Sequence, residues 1–170
     1  LVAMSRLQPV RGRFQVLRGH GDITAVVDYA HTPDALANVL DTLTAVVGNK
    51  SRIIVVVGCG GDRDKGKRPM MAAVAAKRCR LLVLTSDNPR GEDPNDILAD
   101  MQAGLDDKTA KHAITIADRA AAIHAAVAAA RPGDVVLVAG KGHEQYQEIA
   151  GVKHHFDDVR QLRHALDIEQ

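Results

Sequence analysis

Three short stretches of the chain are almost wholly apolar: "IIVVV" at 53–57, "LLVLT" at 81–85 and "VVLVA" at 135–139. A strand with one face in water alternates apolar and polar residues, because successive side chains point to opposite faces. An unbroken run rich in Val, Ile and Leu needs cover on both faces, the condition of a parallel strand between two layers of helices. "ITAVVDYA" at 23–30 is a fourth strand candidate and "AITIA" at 113–117 a fifth.

Helix signals fill the gaps. Thr32 supplies an N-cap, Pro33 suits the first helical position and Asp34 complements the N-terminal dipole. Leu36, Val39, Leu40, Leu43 and Val47 then share one face, and Gly48 ends the helix. A second helix is expected after Pro69 through "MMAAVAAKRC". A third starts near Asp93-Pro94 with Ile97, Leu98, Met101 and Leu105 inward, and a fourth runs from Asp118 to before Pro132-Gly133. "YQEIAG" and "VKHHFD" predict a β-hairpin, and "DVRQLRHAL" a last helix capped by Asp157 or Asp158. The expected fold class is α/β: a doubly wound, mostly parallel, Rossmann-like sheet with helices on both faces, followed by a C-terminal hairpin and helix.

The length of 170 residues suits one domain with a substantial core. Residues 1–10 read as a linker from a preceding domain and 11–170 as the domain itself. A net charge of +1 with interspersed signs gives no footprint for nucleic acid, and the absence of Trp leaves little to stack bases on. No run is long enough to span a membrane, and no signal peptide is visible. Cys59 and Cys79 lack a CxxC spacing, which fits a reduced, cytoplasmic protein.

In open α/β sheets ligands bind beyond the carboxyl ends of the strands. Those ends carry "GCGGDRDKGKR" after Val57, "SDNPRGEDP" after Thr85, "GKGHEQYQ" after Ala139 and "DYAHTPD" after Val27. The first nearly makes a P-loop: from Gly61 the frame reaches Gly66 and Lys67, but Arg68 stands where Ser or Thr would hold magnesium. "GKGHE" misses GxGxxG because Gln145 replaces the last glycine. Each loop alone is explained by turn geometry or a solvated charged surface, and His31 or His143 alone by a structural role. His154-His155 lies in the expected hairpin without helical spacing and reads as surface, so no metal site is expected. Together the loops say more. Arg63 and Arg90 offer forks for carboxylate or phosphate, and Asp87 and Glu144 offer acceptors for an ammonium group. A pocket holding both kinds suits a zwitterion such as an amino acid.

"VVDYAHTPDAL", "VVGCGGDRDKGKRP", "TSDNPRGEDP" and "VLVAGKGHEQYQ", in this order, resemble the C-terminal domain of the Mur ligases. The likeness runs from about Arg11 to the end and is strongest to the diaminopimelate-adding members, which "DNPR" separates from lysine-adding ones. The resemblance implies a three-domain, ATP- and magnesium-dependent amide ligase of peptidoglycan synthesis. Its first domain binds a UDP-linked muramoyl dipeptide, its second carries the true P-loop, and its third brings the incoming amino acid. The amino-acid site then maps onto Arg63, Asp87, Asn88, Pro89, Arg90, Gly140 and Glu144. Arg13, Asp28 and His31 correspond to positions that meet the nucleotide. No residue of this chain is assigned a catalytic role, and these residues alone are expected to be inactive. The alternatives are a lysine-adding relative, a non-catalytic nucleotide-binding module, or an interaction domain with a large exposed apolar patch.

Overall fold

A computed structural model of the chain describes residues 10–48 and 51–168; the expected linker at 1–10 therefore lies almost wholly outside the described residues. The elements run β1 (Gln15–Arg18), β2 (Thr24–Asp28), α1 (Pro33–Val47), β3 (Ile53–Cys59), α2 (Lys67–Ala76), β4 (Leu81–Ser86) and α3 (Pro94–Gln102). They continue with α4 (Asp107–Ala110), β5 (Ile114–Thr115), α5 (Arg119–Ala128), β6 (Val135–Ala139), β7 (Tyr146–Ile149), β8 (Val152–His155) and α6 (Asp158–Ala165).

Six strands form one sheet in the order β1-β2-β6-β3-β4-β5, and β7 and β8 pair as a separate antiparallel hairpin. Only β1 runs antiparallel; β2, β6, β3, β4 and β5 are parallel. The unbroken apolar runs have their predicted cause. Val55, Val57, Leu82, Leu84, Val135 and Leu137 face a layer formed by Leu36, Leu40 and Leu43 of α1, Met71 and Ala75 of α2, and Ile97 and Met101 of α3. Ile54, Val56, Val83, Val136 and Val138 face Ile123 and Ala126 of α5 and Leu162 of α6. Every residue of β6 is buried. No helix of the described residues is long and apolar enough to cross a membrane.

The boundaries shift where side chains intervene. β2 ends at Asp28 and not at Ala30, because the Asp28 carboxylate accepts the N–H of Ala30 at 2.8 Å and turns the chain. α2 starts at Lys67, before Pro69, since a proline in the first turn lacks an N–H that would have no helical partner there. α3 stops at Gln102, and Leu105 packs on the core from beyond it. β5 is two residues long, not five, and α5 closes at Ala128. Asp157, and not Asp158, caps α6, accepting from Val159 N and Arg160 N. β1, a 3-10 turn at His20–Asp22 and α4 carry no strong period and were not expected from the sequence.

Candidate functional site

The four parallel strands β2, β6, β3 and β4 lie side by side, so the segments after Asp28, Ala139, Cys59 and Ser86 open on one edge of the sheet. The segments after β3 and β4 are pressed backbone to backbone. Gly61 N donates to the Asn88 carbonyl at 2.8 Å, and a Cβ at Gly61 would lie 1.9 Å from the Pro89 carbonyl oxygen. The hairpin is stapled to this pair. Arg90, at φ 52°, donates its N–H to the Glu148 carbonyl at 2.9 Å and accepts from Ala150 N at 2.7 Å. Asn88 Oδ1 accepts from Glu148 N at 3.0 Å, and Gln147 Nε2 donates to the Asp87 carbonyl at 2.8 Å.

A lysine holds the acidic half. Lys141 is fully buried, and its Nζ donates to Asp87 Oδ1 at 3.0 Å and Asn88 Oδ1 at 2.8 Å, with Glu144 Oε2 at 3.6 Å. Asn88 Nδ2 in turn donates to Glu144 Oε2 at 3.1 Å. Gly140 makes the turn at φ 116°, a conformation that residues with a Cβ rarely adopt, and Asp87 lies across from it.

The basic half lies around Gly60. A Cβ there would approach Arg90 Nη1 to 2.7 Å and Arg63 Cγ to 3.8 Å. Arg90 Nη1 donates to the Gly61 carbonyl at 2.8 Å, and its Nε is 3.7 Å from Glu148 Oε2. The Arg90 side chain is 21% exposed and already has an acidic neighbour in Glu148. Arg63 is exposed and donates to the Asp62 carbonyl at 3.3 Å.

Arg68, at the position where a P-loop would carry its hydroxyl, turns into the protein. It is fully buried and bonds both Glu92 oxygens, at 2.8 and 3.0 Å, and Asp100 at 2.8 Å. Glu92 also accepts the Asp62 N–H at 2.7 Å. The Arg68 guanidinium, and next the Asp62 N–H, hold the Glu92 carboxyl down at about 2. Behind the site Arg119 and Asp158, both fully buried, form a two-pronged pair at 2.8 Å. Arg119 also donates to the carbonyls of Ser86 at 3.2 Å and Ala139 at 3.1 Å, pinning the ends of β4 and β6. Burial pushes the Cys59 thiol up to about 12, so Cys59 supplies no thiolate at neutral pH.

On the β2 side, Asp28 accepts from Phe14 N and Ala30 N, both at 2.8 Å, and so shapes the turn. His31 Nδ1 donates to the Tyr29 carbonyl at 2.9 Å. The Tyr29 ring lies 4.6 Å from His31 and 5.1 Å from His143, making a row of three rings. Lys67 Nζ reaches the His31 carbonyl at 3.1 Å, and Arg13 is exposed in the turn before β1. Among the described residues no group of three His, Cys, Asp or Glu side chains is placed to hold a metal ion, and His154 and His155 are exposed. A broad hollow of about 980 Å³, lined by residues such as Arg11, His155, Arg160 and His164, lies at α6 and includes none of the predicted site residues.

Of the residues that the sequence nominates, the fold gathers Asp87, Asn88, Pro89, Arg90, Gly140 and Glu144, with Arg63 at their margin. The structure adds Lys141, Arg68, Gln147, Glu148 and Arg119 as neighbours that the sequence did not single out. Lys141 had one signal: a charged residue between two glycines directly after a buried strand.

The fold is a mostly parallel α/β sheet with acidic and basic groups at its carboxyl edge, and the chain belongs to the Mur ligase family, matching the model of the Mur ligase, glutamate ligase domain over residues 12–142. It is 57% identical over 163 residues to the UDP-N-acetylmuramoyl-L-alanyl-D-glutamate--2,6-diaminopimelate ligase of Bacteroides thetaiotaomicron, a match covering 96% of the chain and 34% of that protein. A solved structure of a ligase of the same name superimposes with a TM-score of 0.85 at 51% identity, over 95% of this chain and 32% of that one. A bifunctional folylpolyglutamate synthase/dihydrofolate synthase from Yersinia pestis, complexed with AMPPNP and a manganese ion, superimposes over 79% of the chain and 29% of its own, with a TM-score of 0.60 at 25% identity. The chain thus spans about a third of the length of the curated relative it matches.

Proposed function

We propose that this chain is the C-terminal, amino-acid-binding domain (residues 11–170, with 1–10 as linker) of a bacterial cytoplasmic ligase that acts in peptidoglycan precursor synthesis. The reaction joins meso-diaminopimelate to the D-glutamate γ-carboxylate of UDP-N-acetylmuramoyl-L-alanyl-D-glutamate. One observation carries the reading: Asp87, Asn88 and Glu144, from two loops far apart in sequence, converge on one array with Arg90 and Arg63 beside it. Such a site presents acceptors to an ammonium group and forks to a carboxylate.

Amide formation from a carboxylate needs activation. ATP is the co-substrate that supplies it, by phosphorylating the γ-carboxylate to an acyl phosphate that the substrate amine attacks; the tetrahedral adduct collapses to amide and phosphate. The residues of this chain bind and orient. Asp87 and Glu144 take the ammonium group of one end of diaminopimelate, and Arg90 and Arg63 its carboxylate. Arg90 keeps free N–H groups because the Gly61 carbonyl occupies only one. The row His31, Tyr29, His143 presents ring surface suited to a nucleotide, with Arg13 nearby to offset phosphate charge and Asp28 fixing the turn. Magnesium belongs, on this reading, to the domain that carries the P-loop. The work of this domain is positioning and charge neutralisation.

Lysine lacks the second carboxylate, so binding it leaves the open N–H groups of the Arg forks without a substrate carboxylate, and sites built around a polar group reject analogues that lack it. The test is ligation by the full-length enzyme with meso-diaminopimelate against L-lysine. Diaminopimelate should be strongly preferred, and Arg90→Ala should cut kcat/KM for it by about 10²-fold, the size expected for losing a charge-paired hydrogen bond. Equal use of lysine by the unaltered enzyme would refute the reading. The 170 residues alone should give neither amide nor ADP.

A further inference from the structure

Lys141 is the one buried ammonium group at this edge of the sheet among the described residues, and nothing in the proposed binding scheme uses it. Gly140 (φ 116°) and Gly142 (φ 54°) flank it, and the chain reverses around it to bring the side chain inside. An ammonium group has three N–H donors. Here three acceptors surround it, Asp87 Oδ1, Asn88 Oδ1 and Glu144 Oε2, from two separate loops. A lysine so occupied is in no position to act as a nucleophile or to grip a phosphate.

Its charge completes a count. Asp87 and Glu144 contribute two negative charges and Lys141 one positive, leaving a single negative charge on the acidic half. On the basic half, Arg90 Nε lies 3.7 Å from Glu148 Oε2, and Asp62, whose carboxylate accepts the Gly91 N–H at 3.0 Å, lies beside Arg63 in sequence. The single negative charge left on the acidic half matches one ammonium group. Arg119 behind the site does not alter the count, because Asp158 binds it with both oxygens.

We infer that Lys141 is a positioning residue of the amino-acid site: it holds Asp87, Asn88 and Glu144 in one array and cancels one of their two charges, so that the site accepts a single substrate ammonium group. The inference rests on the amino-acid-site reading and adds a residue that never touches the reacting atoms. Without Lys141 the two carboxylates lose their shared cation, and Asn88 loses one of the three bonds that hold its amide.

The experiment is steady-state kinetics of the full-length ligase carrying Lys141→Met, with Lys141→Ala as a second variant and circular dichroism as the check on folding. KM for meso-diaminopimelate should rise by about 10²-fold, as for removal of one member of a desolvated charge cluster. KM for ATP should stay within about twofold and kcat within a few-fold, the pattern of lost ground-state and transition-state binding at one substrate only. Ethylammonium chloride added to Lys141→Ala should recover part of the lost affinity for diaminopimelate, which a loss of packing alone would not allow. An unchanged KM for diaminopimelate, a parallel rise for ATP, or no recovery with ethylammonium would overturn the assignment while leaving the proposed function standing. If the unaltered enzyme failed to ligate diaminopimelate, the proposed function would fall, and this inference with it.

Discussion

Arg68 shows how one residue converts a familiar loop into something else. At the hydroxyl position of a near-P-loop it reaches inward to Glu92 and Asp100. The consequence is testable by pH. Glu92 has a folded-state value of about 2, below the ordinary 4.5 of an unfolded glutamate. A depressed carboxylate contributes stability that is present above the unfolded value and lost as pH falls through the folded one. Urea unfolding should therefore weaken between about pH 4.5 and about pH 2, and Arg68→Met should flatten that part of the profile. An unchanged slope in the variant would show that Arg68 does not set the Glu92 titration. Gly61 offers a second test at this scale. Gly61→Ala would thrust a methyl group to 1.9 Å from the Pro89 carbonyl, so the two loops must part. The full-length enzyme should then lose affinity for the amino acid more than for ATP, read as a KM ratio.

Elements were legible to the degree that their environment was uniform. β3, β4 and β6 are covered on both faces, so hydrophobicity alone marks them; Thr32 caps α1 as expected, and the expected starts at Asp93 and Asp118 are the caps of α3 and α5. β1 is an edge strand with one buried residue, Leu17, and its four residues carry no pattern to detect. The ends of β2 and α2 depended on single side-chain bonds, those of Asp28 and of Asp64, whose carboxylate accepts Gly66 N at 2.8 Å. The site followed the same logic. The loops could be found because topology places the ends of parallel strands together, but the inward turn of Lys141 and the pairing of Arg119 with Asp158, 39 residues on, depend on tertiary contacts that no local spacing records. The last helix supports one prediction. Asp157 caps α6 through Val159 N and Arg160 N, so Asp157→Ala should destabilise the domain by about 1 kcal/mol in chemical unfolding. Loss of its 2.8 Å bond to Arg11 adds little, because Arg11 is largely exposed.

For the whole molecule, the buried pair of Arg119 and Asp158 ties α5, α6, β4 and β6 into one unit. Removing one partner strands the other charge in the interior. Arg119→Met should cost about 3–5 kcal/mol in urea unfolding, whereas Arg119→Met with Asp158→Leu should recover much of the loss. If the double variant proved no more stable than the single one, the carbonyl bonds to Ser86 and Ala139, not the ion pair, would be the larger contribution.

The strand order carries a last consequence, one of time. β6 pairs with both β2 and β3, which share no ladder with each other. Until residues 135–139 arrive, the chain holds two half-sheets, β1-β2 and β3-β4-β5, each with an open, apolar edge. Such edges invite pairing between molecules. A chain ending at residue 134 should scatter light and associate, where one extended through α6 stays monodisperse. Closing a sheet across more than a hundred residues also makes a slow step, since the entropy of loop closure is spent before the contacts form. Lys141 and Glu144 follow β6 directly, so the strand that seals the sheet also brings them to Asp87 and Asn88 after β4. The array of Asp87, Asn88, Lys141 and Glu144 therefore closes only with the sheet itself.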